Sequence, residues 1–171
     1  MKYAAPLTAA LVVAALAGCS REVAKETPAP ETAETTTAPF LTLATNAEGI
    51  VNVPLASVTD KALFINVPKE GAPTVQLIAI RDGSGLARIA FNTCQACSPS
   101  PRAWFAQRDD GRLVCQNCGN DFGPEAVGAS TRGCNPAPIP GVRETANAFL
   151  VPATALDAAR PAFANWAGPR K

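Results

Sequence analysis

Histidine is absent from this sequence, and methionine occurs only at its first position. The lack of histidine excludes zinc fingers of the mixed cysteine–histidine type, histidine-ligated haem, blue copper centres and every catalytic triad with a histidine base. The lack of further methionine excludes copper sites built from thioether sulfur. Neither a triad nor an open cluster of carboxylates is visible, so we do not expect an enzyme that turns over a substrate.

A strong charge of one sign is also missing. The chain has 15 Lys and Arg against 14 Asp and Glu, and this net charge of +1 gives no positive field for a nucleic acid. Its 171 residues suit one domain with tails, and its 16 prolines favour long non-helical stretches. Six cysteines remain as the reactive residues, so the sequence predicts sulfur chemistry.

The N-terminal segment predicts export. Lys2 precedes an apolar run over positions 4–18, which is shorter than the about 20 residues that a membrane-spanning helix needs. We therefore interpret residues 1–18 as a signal peptide. The run ends in Leu-Ala-Gly followed by Cys19, which resembles the lipobox of bacterial lipoproteins. The resemblance implies cleavage before Cys19 and lipidation of that residue; an ordinary signal peptide with a chance cysteine is the alternative.

These features predict a location at the cell envelope. A lipid on Cys19 would anchor the chain to a membrane, and export predicts that the domain faces the periplasm. Ser20 stands where lipoproteins retained at the inner membrane have Asp, so the sequence is compatible with the outer membrane. Residues 19–39 are rich in Thr, Ala, Glu and Pro and predict a disordered tether behind the lipidated cysteine.

Residues 40–171 predict a mainly β, small α+β domain with its core over 50–151. Short antiparallel hairpins are expected, with Asp82-Gly83-Ser84-Gly85 as the turn of one of them. A short C-terminal helix is predicted within 153–166, and we expect Phe163 and Trp166 to pack on the sheet. The predicted strands cover 50–53, 62–67, 74–81, 86–91, 103–107, 112–114 and 148–151.

Five cysteines fall within this domain, and four of them form two C-x2-C pairs. Cys94 and Cys97 are followed after 17 residues by Cys115 and Cys118, a spacing typical of a four-thiolate metal site. Each pair can close a tight turn, and a hairpin between the pairs can bring the turns together, as in treble-clef-like or ribbon-like sites. Gly119 can adopt the positive φ that such a turn needs. Structural disulfides and a redox-active C-x2-C are the alternatives for an exported protein.

The fifth cysteine, Cys134, follows Cys118 after 15 residues and lies in a loop rich in proline. It could replace one sulfur of the pairs as a ligand, lie beside the ligands, or react on its own. A small buried side chain without a function is the alternative.

Three segments, AFNTCQAC, LVCQNCGNDF and GCNPAPIP, stand out within residues 88–140. This stretch closely resembles the FtrD-like family of membrane iron-sulfur containing proteins, and the resemblance extends over about residues 50–151. It implies metal bound through cysteine and an association with bacterial ferrous-iron uptake or membrane electron transfer. Many relatives have several membrane spans, whereas this chain would have a lipid anchor alone. The residues at the family's cysteine positions are Cys94, Cys97, Cys115, Cys118 and Cys134.

The resemblance also implies an iron–sulfur cluster. Clusters are assembled in the cytosol, and a chain without a twin-arginine signal would be exported unfolded and without one. Four thiolates at this spacing suit a single ion, so we hypothesise one metal site for Zn or Fe, with a cluster as the alternative. The predicted partner is a protein of an iron-uptake or electron-transfer system. The alternative functions are periplasmic thiol–disulfide exchange, with Cys115 and Cys118 as the exchanging pair, and a structural zinc site that supports a protein-docking surface.

Overall fold

The computed structural model describes residues 39–170. The predicted signal peptide, the predicted lipidation site Cys19 and the predicted tether lie outside this range, except for Pro39. Within residues 39–170, no helix combines the length and the apolar character that crossing a bilayer requires.

The described residues are mostly β, with one short C-terminal helix, as the sequence predicts. Helix α1 covers Ala153–Ala159, and Pro161 stands in the 3-10 turn Arg160–Phe163 that follows it. Two further 3-10 turns cover Leu55–Ser57 and Pro124–Ala126. In chain order the strands are β1 Phe40–Thr42, β2 Ile50–Pro54, β3 Leu63–Lys69, β4 Ala72–Arg81, β5 Ala87–Cys94, β6 Phe105–Gln107, β7 Leu113–Cys115, β8 Asp121–Phe122, β9 Pro136–Ala137, β10 Arg143–Glu144 and β11 Ala148–Pro152.

Residues 39–170 form three sheets. The largest has the order β1-β3-β4-β5-β9, and its pairings are antiparallel except that β1 runs parallel to β3. The second has the order β10-β11-β2, and the third, which carries cysteine, has the order β6-β7-β8. The outer strands of the largest sheet are short, since β1 has three residues and β9 has two. Pro68 lies in β3 at a register shift against β4, where a missing N–H does not interrupt the ladder.

Side chains alternate between the two faces of the largest sheet, and both faces are buried. Leu77 and Ile78 are neighbours on β4, are fully buried, and point to opposite faces. The aliphatic core lies on the face of Leu77 and includes Val51, Val53, Leu63, Ile65, Val67, Val75, Phe91, Phe149, Val151, Leu156, Phe163 and Trp166. The cysteine core lies on the face of Ile78 and includes Phe64, Ile80, Ala90, Cys94, Ala103, Phe105, Leu113, Cys115 and Val127.

The turn between β4 and β5 is fixed by Asp82. Its carboxylate accepts hydrogen bonds from the backbone N–H groups of Ser84 and Leu86 and from the Ser84 hydroxyl, and it pairs with Arg88 at 2.9 Å. The hydrogen bond from the Ser84 side chain is the largest of the effects that lower the pKa of Asp82 to about 2. The predicted Asp-Gly-Ser-Gly turn is therefore confirmed, and it sets the register that brings Cys94 to the far end of β5.

The C-terminal segment packs on the sheet, which confirms the prediction for Phe163 and Trp166. Phe163 contacts Phe91 with its ring centroid 6.4 Å away, and the Trp166 indole N–H donates to the backbone carbonyl of Asn92 at 2.9 Å. The N–H of Ala167 donates to the carbonyl of Pro101 at 2.9 Å. The segment around Trp166 and Ala167 is thus hydrogen-bonded both to β5 and to the loop that follows Cys97.

Candidate metal centre

The first cysteine turn begins at the end of β5. Cys94 is the last residue of the strand and is fully buried, whereas Cys97 is half-buried in the turn. The N–H of Ser98 donates to the carbonyl of Cys94, which closes the turn, and the Ser98–Pro99 peptide bond is cis. The N–H of Cys94 donates to the carbonyl of Ala103 at 2.8 Å, so the returning chain is fixed against the strand.

The second cysteine turn is built in the same way at the end of β7. Cys115 is the last strand residue and is buried, and its carbonyl accepts the N–H of Gly119. Gly119 has φ of +76°, as the sequence predicts. Cys118 is exposed at the tip of the turn. The β6–β7 hairpin separates the two turns along the chain and places Phe105 opposite Cys115 in the ladder.

The two turns are joined directly as well as through the hairpin. The Ser100 hydroxyl donates to the Asn117 side-chain carbonyl at 2.7 Å, and the N–H of Gln116 donates to the carbonyl of Trp104 at 2.8 Å. These contacts connect the loop after Cys97 to the turn between Cys115 and Cys118. The arrangement agrees with the predicted ribbon-like placement of two facing turns.

Cys134 reaches the same place from a third segment. Strand β9 pairs with β5 so that Pro136 lies opposite Cys94. The loop before β9 is held to the first turn, since Gln95 donates its N–H to the carbonyl of Asn135 and its side-chain amide to the carbonyl of Ser130. Cys134 is consequently half-buried beside Cys94.

All five cysteines of the described residues are free thiols, and their sulfurs form one cluster. The Cys94 and Cys134 sulfurs are 3.4 Å apart, those of Cys97 and Cys115 are 3.9 Å apart, and those of Cys118 and Cys134 are 3.1 Å apart. Four sulfurs lie within 4.8 Å of one another, those of Cys94, Cys97, Cys115 and Cys134. This set differs from the two C-x2-C pairs, because Cys134 takes the place of Cys118. Whether each of the five binds metal stays a prediction.

The cysteines of the cluster differ in the pKa of their thiols. Burial raises the pKa of Cys97, Cys115 and Cys134 above that of an ordinary thiol, because the thiolate loses its solvation. The pKa of Cys118 is lowered to about 7, first by its hydrogen bond with Cys134 and then by the backbone N–H of Asn120. The exposed thiol of Cys118 is therefore more acidic than those of Cys97, Cys115 and Cys134.

A buried polar network supports the cluster, and the sequence analysis missed it. The Asn92 side chain donates to Gln76 at 2.8 Å and accepts the N–H of Phe105 at 2.9 Å, and both amide side chains are fully buried. Asn92 lies two residues before Cys94, and Phe105 pairs with Cys115, so one side chain connects the two cysteine strands. A single Asn or Gln in a strand gives no sequence pattern by which such a role could be recognised.

Two arginines are free to balance thiolate charge. Arg88, Arg108 and Arg112 pair with carboxylates of Asp82, Asp110 and Asp121. Arg102 and Arg132 lie in the cysteine loops, are exposed, and have no carboxylate partner among residues 39–170. The loops that carry the cysteines, 95–102, 116–120 and 128–135, contain no acidic residue. Four thiolates on a divalent ion have a net charge of −2, which these guanidinium groups can offset in part.

The donor set fits a thiolate-bound metal. A tetrahedral site with sulfurs about 2.3 Å from the ion has sulfur–sulfur distances of roughly 3.8 Å, close to the separations found here. An iron–sulfur cluster uses the same donors on different irons, so its ligand sulfurs are spread further apart than those around one ion. The four cysteines could hold either group, and their spacing is closer to that of a single ion.

Comparison with protein families gives one match. The model of a family described as "Membrane iron-sulfur containing protein FtrD-like" matches residues 58–163, more than half of the chain. The match covers all five cysteines of the cluster and ends before Trp166. No curated protein and no solved structure matches the chain.

Proposed function

Since the chain belongs to the FtrD-like family of membrane iron-sulfur containing proteins, we propose that it holds iron through cysteine thiolates at the bacterial cell envelope. Its proposed role is that of an accessory to iron uptake or envelope electron transfer, in which the domain passes iron or electrons to a partner protein. Zinc is the other metal that the donor set suits. The proposal includes a lipid on Cys19 and a domain that faces the periplasm.

The observation that carries the proposal is the cluster of five free sulfurs, four of which lie within 4.8 Å of one another. Buried thiols brought together from three separate segments have little to contribute to packing that other small side chains could not supply. Soft thiolate donors select zinc, copper(I) and iron centres over hard cations such as magnesium or calcium. The family description favours iron among these.

Bound iron would supply a one-electron couple or a transferable cation. The residues of the chain would hold it from the ends of β5 and β7 through Cys94 and Cys115, whose burial keeps water from the inner side. Phe105 and Leu113 line that inner side and are fully buried. The exposed sulfur of Cys118 lies at the outer side, where a partner can approach.

The full chain, exported and purified in detergent without oxygen, tests the metal proposal. Elemental analysis should give iron bound to the protein, and a thiol count should show four cysteines protected from alkylation. Absorption bands of thiolate-bound iron should disappear in Cys94→Ser, and Ser98→Ala serves as the matched control in the same turn. A protein without metal that contains two disulfides would contradict the proposal.

Membrane attachment is tested separately. A labelled fatty acid should be incorporated into the unaltered protein and not into Cys19→Ala, because Cys19 is the proposed site of acylation. Ser20→Ala, which leaves the acylated residue in place, is the control. Equal incorporation of fatty acid into Cys19→Ala would contradict the lipid anchor and leave the metal proposal unaffected.

Thiol–disulfide exchange is a second candidate function, supported by the contact of 3.1 Å between the Cys118 and Cys134 sulfurs. In this reaction the Cys118 thiolate would attack a substrate disulfide and release one substrate thiol. Cys134 would then attack the mixed disulfide, leaving a Cys118–Cys134 disulfide and a fully reduced substrate. A metal-free native protein with a reduction potential between roughly −120 and −270 mV would favour this function over metal binding.

A further inference from the structure

We propose that Cys118 and Cys134 are alternative fourth ligands of one metal site, and that exchange between them opens the site toward solvent. The proposal rests on the proposed metal-binding function. It concerns which thiols hold the ion and how the ion becomes accessible to a partner.

The number of thiols motivates the proposal. Zinc and mononuclear iron in structural thiolate sites take four sulfurs, whereas five sulfurs converge here. Three of them, those of Cys94, Cys97 and Cys115, belong both to the C-x2-C pairs and to the group within 4.8 Å. Cys118 is the fourth cysteine of the C-x2-C pairs, and Cys134 is the fourth cysteine of the group within 4.8 Å. One cysteine is therefore always in excess.

Two of the three shared cysteines, Cys94 and Cys115, are fixed in strands, whereas the two that differ lie in turns or loops. Cys94 and Cys115 end strands and are buried, and both are fixed by backbone hydrogen bonds on either side of the turn. Cys118 lies exposed at the tip of its turn, and Cys134 lies in the loop before β9. The variable position is thus on the solvent side of the cluster.

The contact between the two sulfurs allows exchange without a change in charge. Cys118 and Cys134 are 3.1 Å apart, and either can donate its proton to the other. When the Cys118 thiol becomes a ligand, it gives up its proton and forms a bond to the ion. The Cys134 thiolate gives up its bond to the ion and takes a proton. The reverse exchange returns the site to the buried set, so the number of thiolates stays at four throughout.

Opening would follow from the burial of the two residues. The set with Cys134 keeps the fourth ligand half-buried beside Cys94, whereas the set with Cys118 includes an exposed sulfur. An exposed ligand is the one that a donor from another protein can replace. Exchange would therefore allow one site both to bind the ion tightly and to release it to a partner protein.

Zinc(II) loading of the full chain in detergent, without oxygen, tests the proposal with a redox-silent probe. Cys118→Ser and Cys134→Ser should each retain one zinc per chain, with affinity reduced about 10- to 100-fold, the loss typical of a residue beside the ligands. The double variant should lose zinc. Cys94→Ser, which is common to both sets, should lose it as well and serves as the control.

Other patterns of retention overturn the proposal. Loss of zinc in one single variant alone identifies a fixed fourth ligand, loss in both shows that both sulfurs are required, and retention in the double variant shows that neither is a ligand. Absence of zinc and iron from the unaltered protein would instead remove the proposed function, and the exchange with it. The metal content of the unaltered protein distinguishes these two failures, because it contains metal in the first case and none in the second.

A second measurement needs no variant and is independent of folding defects. The zinc-loaded unaltered protein is treated with limiting alkylating reagent, and the labelled cysteine is located by peptide mapping. Exchange predicts at most one label per molecule, found on Cys118 in some labelled molecules and on Cys134 in others. A label confined to one of the two positions would contradict exchange.

Discussion

The two faces of the largest sheet show how differently two cores can be built on the same strands. The aliphatic core is closed by the β2–β11 pair and by the C-terminal helix, with Val, Leu, Ile and Phe throughout. The cysteine core is closed by β6, β7 and β8, which have three, three and two residues. The aliphatic core contains 18 buried apolar residues and the cysteine core contains 11, two of them Cys, so apolar burial contributes less on the cysteine side. We infer that metal binding takes the place of apolar burial on the cysteine side.

Removal of metal should produce the largest difference in local stability between the two cores. Binding of a structural zinc ion contributes on the order of 10 kcal/mol in small thiolate domains. We expect chelation to increase amide hydrogen exchange in β6–β8 while β3 and β4 stay protected. Equal loss of protection on both faces would show that the domain is one cooperative unit that depends on metal.

Two neighbouring residues on β4 sharpen the comparison. Leu77→Ala should lower the free energy of unfolding by about 2–5 kcal/mol, with or without metal, because it leaves a cavity in the aliphatic core. Ile78→Ala should cost a similar amount and also weaken metal binding, because its side chain packs in the cysteine core. Denaturant unfolding and metal titration of both variants provide the test. Equal metal affinity in the two variants would contradict the separation of the faces.

The C-terminal segment connects the faces, and Trp166 is the place to interrupt that connection. Trp166→Phe removes the hydrogen bond to the Asn92 carbonyl and leaves this buried acceptor without it, a cost of about 1–3 kcal/mol. We expect faster loss of metal to a chelator, because Asn92 holds β5 against β6 beside Cys94.

Phe163→Leu is the matched control, since Phe163 packs in the aliphatic core and has no polar link to the cysteine strands. It should lower stability without changing the rate of metal loss. The same rate of loss in the two variants would show that Trp166 acts only through packing.

Acid should affect the end of the sheet away from the cysteines, and this is the smallest effect expected. The pKa of Asp82 is lowered in the folded state from 3.8 to about 2, so its contribution to stability is present above pH 3.8 and is lost as the pH falls toward 2. Protection of the β4–β5 turn in the metal-free protein should decrease over this range. The Asp82→Asn variant should show less dependence on pH there, and a slope as steep as that of the unaltered protein would contradict the assignment.

The longer strands could be predicted because they repeat apolar residues at the period of a strand. Strands β3, β4 and β5 lie where β-branched runs and the Asp82 turn predict them, within a few residues at their ends. Strands β6 and β7 have only three residues each, but the turn residues Asp109-Asp110-Gly111 between them indicate a hairpin. Strands β1, β8, β9 and β10 are as short, have no such hairpin signal in the sequence, and were not predicted. The parallel pairing of β1 with β3 depends on a distant partner and leaves no local pattern.

The candidate site could be predicted only in part. The spacing of the C-x2-C pairs predicts that Cys94, Cys97, Cys115 and Cys118 come together, because adjacent turns are a local property. The first three lie in the group of four sulfurs within 4.8 Å, and Cys118 lies beside that group. Cys134 lies 40 residues after Cys94 in the chain, and its position depends on the pairing of β9 with β5, which has no sequence pattern. The buried amides Gln76 and Asn92 could not be found for the same reason.

The short outer strands described above bear on self-association. An unpaired strand edge can template pairing with another copy of the same chain, and the hazard grows with the length of the edge. The outer strands of the largest sheet have three and two residues, and β9 begins with Pro136, which has no N–H to offer. A protein held at a membrane surface meets its own copies more often than one diluted in solution. If the proposed lipid anchor is present, the short outer strands would limit edge-to-edge aggregation among copies of the chain at the membrane.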